Sequence, residues 1–283
     1  MYNFLIDVQQ YNFLQYALLT GVLASVACGV VGTFVVVRRI TYIAGGISHT
    51  VLGGMGAALY MQKSLGWEAA DPLYGAVAAA ILAAVIIGVV SLRAKQREDT
   101  VIGAVWAVGM AVGILFISRT PGYSTDLMGY LFGNILMVSS GDLWLLVALD
   151  ALVVGMGIVF YNQFLAVCFD DEFALLRGLR VQVYYLLLLC LTALTIVVLV
   201  TVVGIVMVIA LVTLPTAIAA FFSKTLKRMM VLSALFCIVL TVSGLVLSYE
   251  PNYPAGATTI VLAGAAYLAV LVGRRVVDLV RTA

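Results

Sequence analysis

Residues 183–222 read VYYLLLLCLTALTIVVLVTVVGIVMVIALVTLPTAIAAFF, without one charged side chain. One crossing of a ~30 Å hydrocarbon core takes ~20 residues of α-helix, so the run has the length of one long span or of two. Gly204 stands near its middle and is the natural place to turn, which gives two tightly connected helices. In lipid, backbone amides must be satisfied within their own segment or by closing a barrel. The run has none of the polar alternation of barrel strands, so it is helical.

Working outward, the rest of the chain has the same character. It is 64% hydrophobic and 10% charged, with a mean hydropathy of +1.18, too little polar surface to cover a soluble globule of 283 residues. Further spans are expected at 13–37, 43–61, 73–92, 101–118, 142–163, 229–248 and 257–273, which with 183–201 and 204–222 makes nine. Residues 126–139, DLMGYLFGNILMVS, are apolar but number only about a dozen, short of a crossing, and read as a re-entrant or interfacial helix. The expected fold is an all-α, polytopic transmembrane helical bundle forming a single domain over 1–283. No basic region precedes the first apolar run, and Asp7 stands there instead, which argues against a cleaved signal peptide. Cys28, Cys168, Cys190 and Cys237 show no paired spacing and read as apolar thiols.

Basic residues orient the map, because Lys and Arg are retained on the cytoplasmic side of short loops. One set of loops and helix ends carries Arg38, Arg39, Arg93, Lys95, Arg97, Arg177, Arg180, Lys224, Lys227, Arg228, Arg274, Arg275 and Arg281; the other carries Lys63 and Arg119. The first set is taken as cytoplasmic, with the N-terminus outside and the C-terminus inside. Asp7, Glu68, Asp71, Asp126, Asp142 and Glu250 then face outward. An acidic mouth concentrates cations, although loops depleted of Lys and Arg are acidic by default. No basic cluster is dense enough to suggest nucleic acid.

Ionisable groups inside a span are costly and are functional candidates. His49, the only histidine, lies in AGGISHTVLGG (44–54), with Gly45 and Gly53 above and below it on one helical face. The room beside the imidazole suits either a divalent transition metal or the close approach of another helix. Asp150 is the carboxylate within the fifth span; it can pair with a helix, line an aqueous cavity or bind a cation. Pro215 frees a carbonyl in mid-span and is expected to kink its helix. No Gly-Lys-Ser/Thr phosphate loop, His-Glu-x-x-His pair or Gly-x-Ser-x-Gly elbow occurs, so the chain has no enzyme constellation and no ATP site of that kind.

The longest cytoplasmic connection, 167–180, contains Phe169-Asp170-Asp171-Glu172-Phe173-Ala174-Leu175-Leu176-Arg177-Gly178. Acids at its start, Arg177 at its end and Gly178 as a left-handed cap predict a short helix. Phe173 and Leu176 share a face and offer apolar surface to a partner beneath the membrane.

These features resemble the permease subunits of zinc/manganese/iron ABC importers, whose membrane fold is similar to that of the vitamin B12 importer. The resemblance covers most of the chain. Its marks are Arg38-Arg39 followed by Ser48-His49 and Gly54; Glu98-Asp99-Thr100 with Ile102-Gly103; Tyr130-Leu131-Phe132-Gly133-Asn134; Phe169-Asp170 with Ala174 and Gly178; Pro215 with Ala217 and Ala219; and Pro254-Ala255-Gly256-Ala257. It implies a pair of permeases in a prokaryotic plasma (inner) membrane, a homodimer, surrounding a central pathway. Two cytoplasmic ABC ATPase subunits would dock on 169–178, and an extracytoplasmic metal-binding solute protein would deliver the ion. ATP then belongs to the partner, and the chain holds no cofactor of its own besides the metal in transit.

Candidate pathway ligands are His49, Asp126 and Asp150, with Gly45, Gly53, Gly54 and Pro215 as gating or helix-kink positions. Many members carry an acid four residues before the histidine, where this chain has Gly45, and often proline where it has Gly53. The resemblance leans toward zinc, with manganese or iron as alternatives. Competing readings are a stand-alone proton-coupled carrier, and an ABC permease for a metal chelate or vitamin.

Overall fold

The computed structural model describes residues 2–93, 97–120, 133 and 135–282. Among these, twelve α-helices follow in order: α1 (Tyr2–Gln10), α2 (Asn12–Val37), α3 (Tyr42–Ser64), α4 (Pro72–Arg93), α5 (Glu98–Arg119), α6 (Ser140–Val159), α7 (Tyr161–Phe169), α8 (Asp171–Leu176), α9 (Val181–Val203), α10 (Ile205–Phe222), α11 (Leu226–Tyr249) and α12 (Ala255–Thr282). One 3-10 turn, Ile135–Met137, precedes α6, and no strand occurs among the described residues.

The charge-free run is two helices. Gly204 joins α9 to α10 at φ 85° and ψ 161°, a conformation that glycine adopts at no steric cost and other residues avoid. Every expected span but 142–163 falls on a single helix, and eight helices among the described residues are long and apolar enough to cross a bilayer. The chain is a multi-pass membrane protein. α3 falls outside that set because Gly45, Gly46, Ser48, His49 and Thr50 dilute its hydropathy.

Two features depart from the expected map. The span expected at 142–163 stops at Phe160, whose φ −103° and ψ 20° leave the helix, so α7 is a separate element. α1 was not expected: Phe4 packs edge-to-face on Tyr249, and the Tyr249 hydroxyl donates to Asp7 Oδ2 at 2.8 Å. The helix expected over 126–139 lies largely outside the described residues, its described part being the 3-10 turn and the start of the next cap. There a capping box fixes α6: the Asp142 amide donates to Ser139 Oγ at 3.3 Å, and the Ser139 amide donates back to Asp142 Oδ2 at 2.9 Å.

Burial separates centre from periphery. In the most apolar window of each helix, 72% of α9 and 67% of α2 is buried, against 17% of α12. α2 and α9 are therefore the central staves. α3, α4 and α5 pack on one side with α9 against α4, while α2 is flanked by α6, α10 and α11, and α12 closes on α10 and α11. Most buried hydroxyls of the staves bond back to their own helix, as Ser25 does to the Gly21 carbonyl at 2.6 Å and Thr192 to Leu188 at 2.8 Å, while the Thr20 hydroxyl has no such partner.

Pro215 lies buried inside α10, where its ring cannot donate to the Leu211 carbonyl. The Cys237 thiol of α11 makes a weak contact with that carbonyl at 4.0 Å. All four cysteines are free.

Candidate ion pathway and coupling site

His49 projects from α3 toward α5, where its ring stacks on Trp106 with centroids 4.9 Å apart and planes 15° from parallel. The room beside the imidazole is already taken. A Cβ on Gly45 would lie 2.6 Å from Trp106 Cζ3, and one on Gly53 would lie 2.6 Å from the Gly109 carbonyl oxygen. Gly54 faces the Gly75 backbone of α4 just as closely. These glycines permit backbone approach in the manner of small-residue membrane contacts. Thr50 ties the seam by donating to Gly46 O at 2.7 Å and reaching Val105 O at 3.3 Å. A cavity of 480 Å³ beside it is lined by Gly53, Gly54, Ala83, Val105 and Val108, with Thr50 as its polar side chain, so its chemistry suits apolar matter rather than an ion.

Asp150 belongs to a different neighbourhood. It is 9% exposed in mid-α6, against the Ala27 backbone of α2 and near Cys28, and neither carboxylate oxygen has a hydrogen bond of standard geometry. His49 and Asp150 thus face different helices, and Asp126 lies outside the described residues. Among the described residues no three His, Cys, Asp or Glu side chains cluster as a metal site. A single imidazole and a single carboxylate suit passage of an ion better than its retention.

At the other end of α3 and α5, toward the basic loops, α8 folds as a capped single helix. Asp170 Oδ1 accepts from the Phe173 amide at 2.9 Å, with Asp171 and Glu172 in the first turn, where the helix dipole favours negative charge. Gly178, at φ 77°, donates to Leu175 O at 2.9 Å while Leu179 donates to Ala174 O at 3.1 Å, the paired bonds of a Schellman cap. Ala174 is buried. Leu176 is 86% exposed and Phe173 51%, so the helix presents apolar side chains outward, and Phe169 at the end of α7 is 68% exposed just before it.

Beneath α8 lies a charged node that sequence reading missed. Arg38, at the end of α2, donates to both oxygens of Asp171 at 2.9 and 2.8 Å and to the Val167 carbonyl at 2.8 Å. The same guanidinium reaches Glu98 Oε1 of α5 at 3.4 Å and lies 5.0 Å above the Tyr185 ring of α9. The Tyr185 hydroxyl donates to Glu98 Oε1 at 2.9 Å. Arg38, Glu98 and Asp171 were each conspicuous in the sequence, but partners 60 and 133 positions apart cannot be paired by spacing. Trp106 carried no signal at all.

The chain matches the ABC 3 transport family over residues 10–274. It is 44% identical, over 88% of this chain and 84% of the other, to a Chlamydia pneumoniae protein called "Probable metal transport system membrane protein". It is 36% identical to the manganese transport system membrane protein MntC of Listeria monocytogenes, over 92% of this chain and 90% of that one. Among solved structures, PsaBC from Streptococcus pneumoniae in complex with Fab superposes with a TM-score of 0.81 at 32% identity, covering 95% of this chain and 94% of that one. Matched along nearly its whole length in sequence and in fold, the chain belongs to the ABC 3 transport family.

Proposed function

We propose that this chain is the membrane permease of an ABC importer for a divalent transition metal ion. Manganese is the first candidate because the named relatives are manganese systems, with zinc and iron behind it. The chain supplies the route and the mechanical coupling; ATP hydrolysis resides in a separate cytoplasmic subunit. Two copies enclose the pathway in a prokaryotic plasma membrane, with the N-terminus outside, and an extracytoplasmic solute-binding protein delivers the ion. The convergence of the ends of α2, α5 and α8 on Arg38 supports this orientation, since it gathers the basic termini on one face.

The observation that carries the proposal is α8. A six-residue helix capped at both ends that leaves Leu176 and Phe173 in the open, just after the exposed Phe169 of α7, is a knob without a socket among the described residues. Phe169, Asp170, Asp171, Glu172, Phe173, Ala174, Leu176 and Gly178 make up this ATPase-coupling segment. Of the pathway candidates, His49 is the one that a neighbouring helix positions, through Trp106; Asp150 and Asp126 are retained as further candidates.

Leu176→Asp tests the docking role. The variant is expected to keep its yield and size-exclusion profile while losing co-purification of the ATPase encoded with it. Retention of the ATPase at wild-type levels contradicts the assignment of α8.

A further inference from the structure

We propose that Arg38, Glu98 and Tyr185 are positioning residues of a joint that passes movement of α8 to α5, and through α5 to the helix bearing His49. The proposal rests on the reading of α8 as the ATPase-docking helix. Its basis is the unequal strength of the two sides of the node.

On one side, Arg38 is held by the Asp171 fork at 2.8 and 2.9 Å and by Val167 O at 2.8 Å. Bidentate, charge-assisted bonds of this length are the strong class of hydrogen bond. Arg38 and the start of α8 therefore behave as one body. On the other side, Arg38 meets Glu98 through a single contact at 3.4 Å, near the limit of a useful hydrogen bond. Glu98 is held more firmly by the Tyr185 hydroxyl at 2.9 Å. A displacement of α8 strains the long contact first, so the joint lies between Arg38 and Glu98.

Arg38 caps the C-terminal end of α2, and Glu98 and Asp171 open α5 and α8, each at the helix end whose dipole favours its sign. The Arg38 and Glu98 side chains are 16% and 25% exposed, so water screens their attraction only in part.

Beyond the joint, α5 does not slip freely on α3. Ile102 packs on Gly46, Trp106 on Gly45 and His49, Gly109 on Gly53, and Gly113 on Gly56, a parallel register along the length of both helices. A shift of the Glu98 end therefore carries α3, and His49 with it, as one rigid body. Linkage makes the effect reciprocal, so occupancy near His49 also biases α8.

The test uses the complete complex, with permease, ATPase and binding protein in proteoliposomes, and reads both radioactive manganese taken up and ATP hydrolysed. Glu98→Gln keeps the shape of the side chain, and Tyr185→Phe keeps the ring beneath Arg38. Both variants are expected to retain ATPase association and basal hydrolysis, while manganese moved per ATP falls about fivefold or more, the lower range of allosteric coupling. Arg38→Lys, which keeps charge and loses the fork, is expected to fall between them and the wild type. An unchanged ratio in Glu98→Gln and Tyr185→Phe overturns the joint. Loss of ATPase association in those variants overturns it as well, since the node would then only hold α8 in place. Failure of the wild type to bind the ATPase contradicts the docking reading itself and is seen before any variant is made.

Discussion

The seam between α3 and α5 and the node beneath α8 hold helices together by opposite means. Along the seam, backbone meets backbone at Gly53 and Gly109, with an aromatic stack at one end. At the node, one guanidinium gathers three other helices through side chains. In lipid no hydrophobic force drives two apolar helices together, so the seam relies on close van der Waals fit and tolerates no added volume. The node relies on charge and tolerates volume better than neutralisation. A transporter gains from having both: a seam that moves as one piece and a joint that can yield.

That contrast is open to a graded set of substitutions, measured as thermal unfolding of the purified protein in detergent. Gly53→Val, which drives a branched side chain into the Gly109 carbonyl, is expected to cost most, about 3 kcal/mol or more, with loss of monodisperse protein. Arg38→Met removes the fork while keeping length and is expected to cost about 2 kcal/mol, in the range of hydrogen bonds to charged groups. His49→Ala removes the stack on Trp106 and is expected to cost about 1 kcal/mol, with a fall in manganese uptake larger than that stability change explains. Gly264→Ala, where no atom lies within 4 Å, is expected to shift stability by less than about 0.5 kcal/mol. If Gly264→Ala proved as harmful as Gly53→Val, close fit would not be what holds the seam. If Arg38→Met were as mild as Gly264→Ala, the node would not be a connection at all.

The fold was legible because its signals are local. A charge-free run with Gly204 at its break, acids and Gly178 bracketing 170–178, and basic loops alternating with acidic ones each read within a few residues of themselves. The break at Phe160 was not legible, since an aromatic in an apolar run carries no helix-stop chemistry. Nor was α1, which is held by Asp7 and Phe4 against Tyr249 across the length of the chain. In the site, His49 and Asp150 stood out by chemistry, but what surrounds them did not. The glycines beside His49 indicated room, and only the packing of α5 reveals that Trp106 and the Gly109 backbone fill it. The node is the extreme case, because its residues matter for whom they meet and the meetings span 60 and 133 positions.

The central claim is that this chain moves a metal ion only when ATP is hydrolysed by a partner. It is tested most directly by manganese uptake into proteoliposomes holding the permease with and without its ATPase, in the presence of the binding protein. The account predicts uptake that requires both the ATPase and hydrolysable ATP and is indifferent to an imposed pH gradient. Uptake by the permease alone, driven by that gradient without ATP, would contradict it and make the chain a proton-coupled carrier.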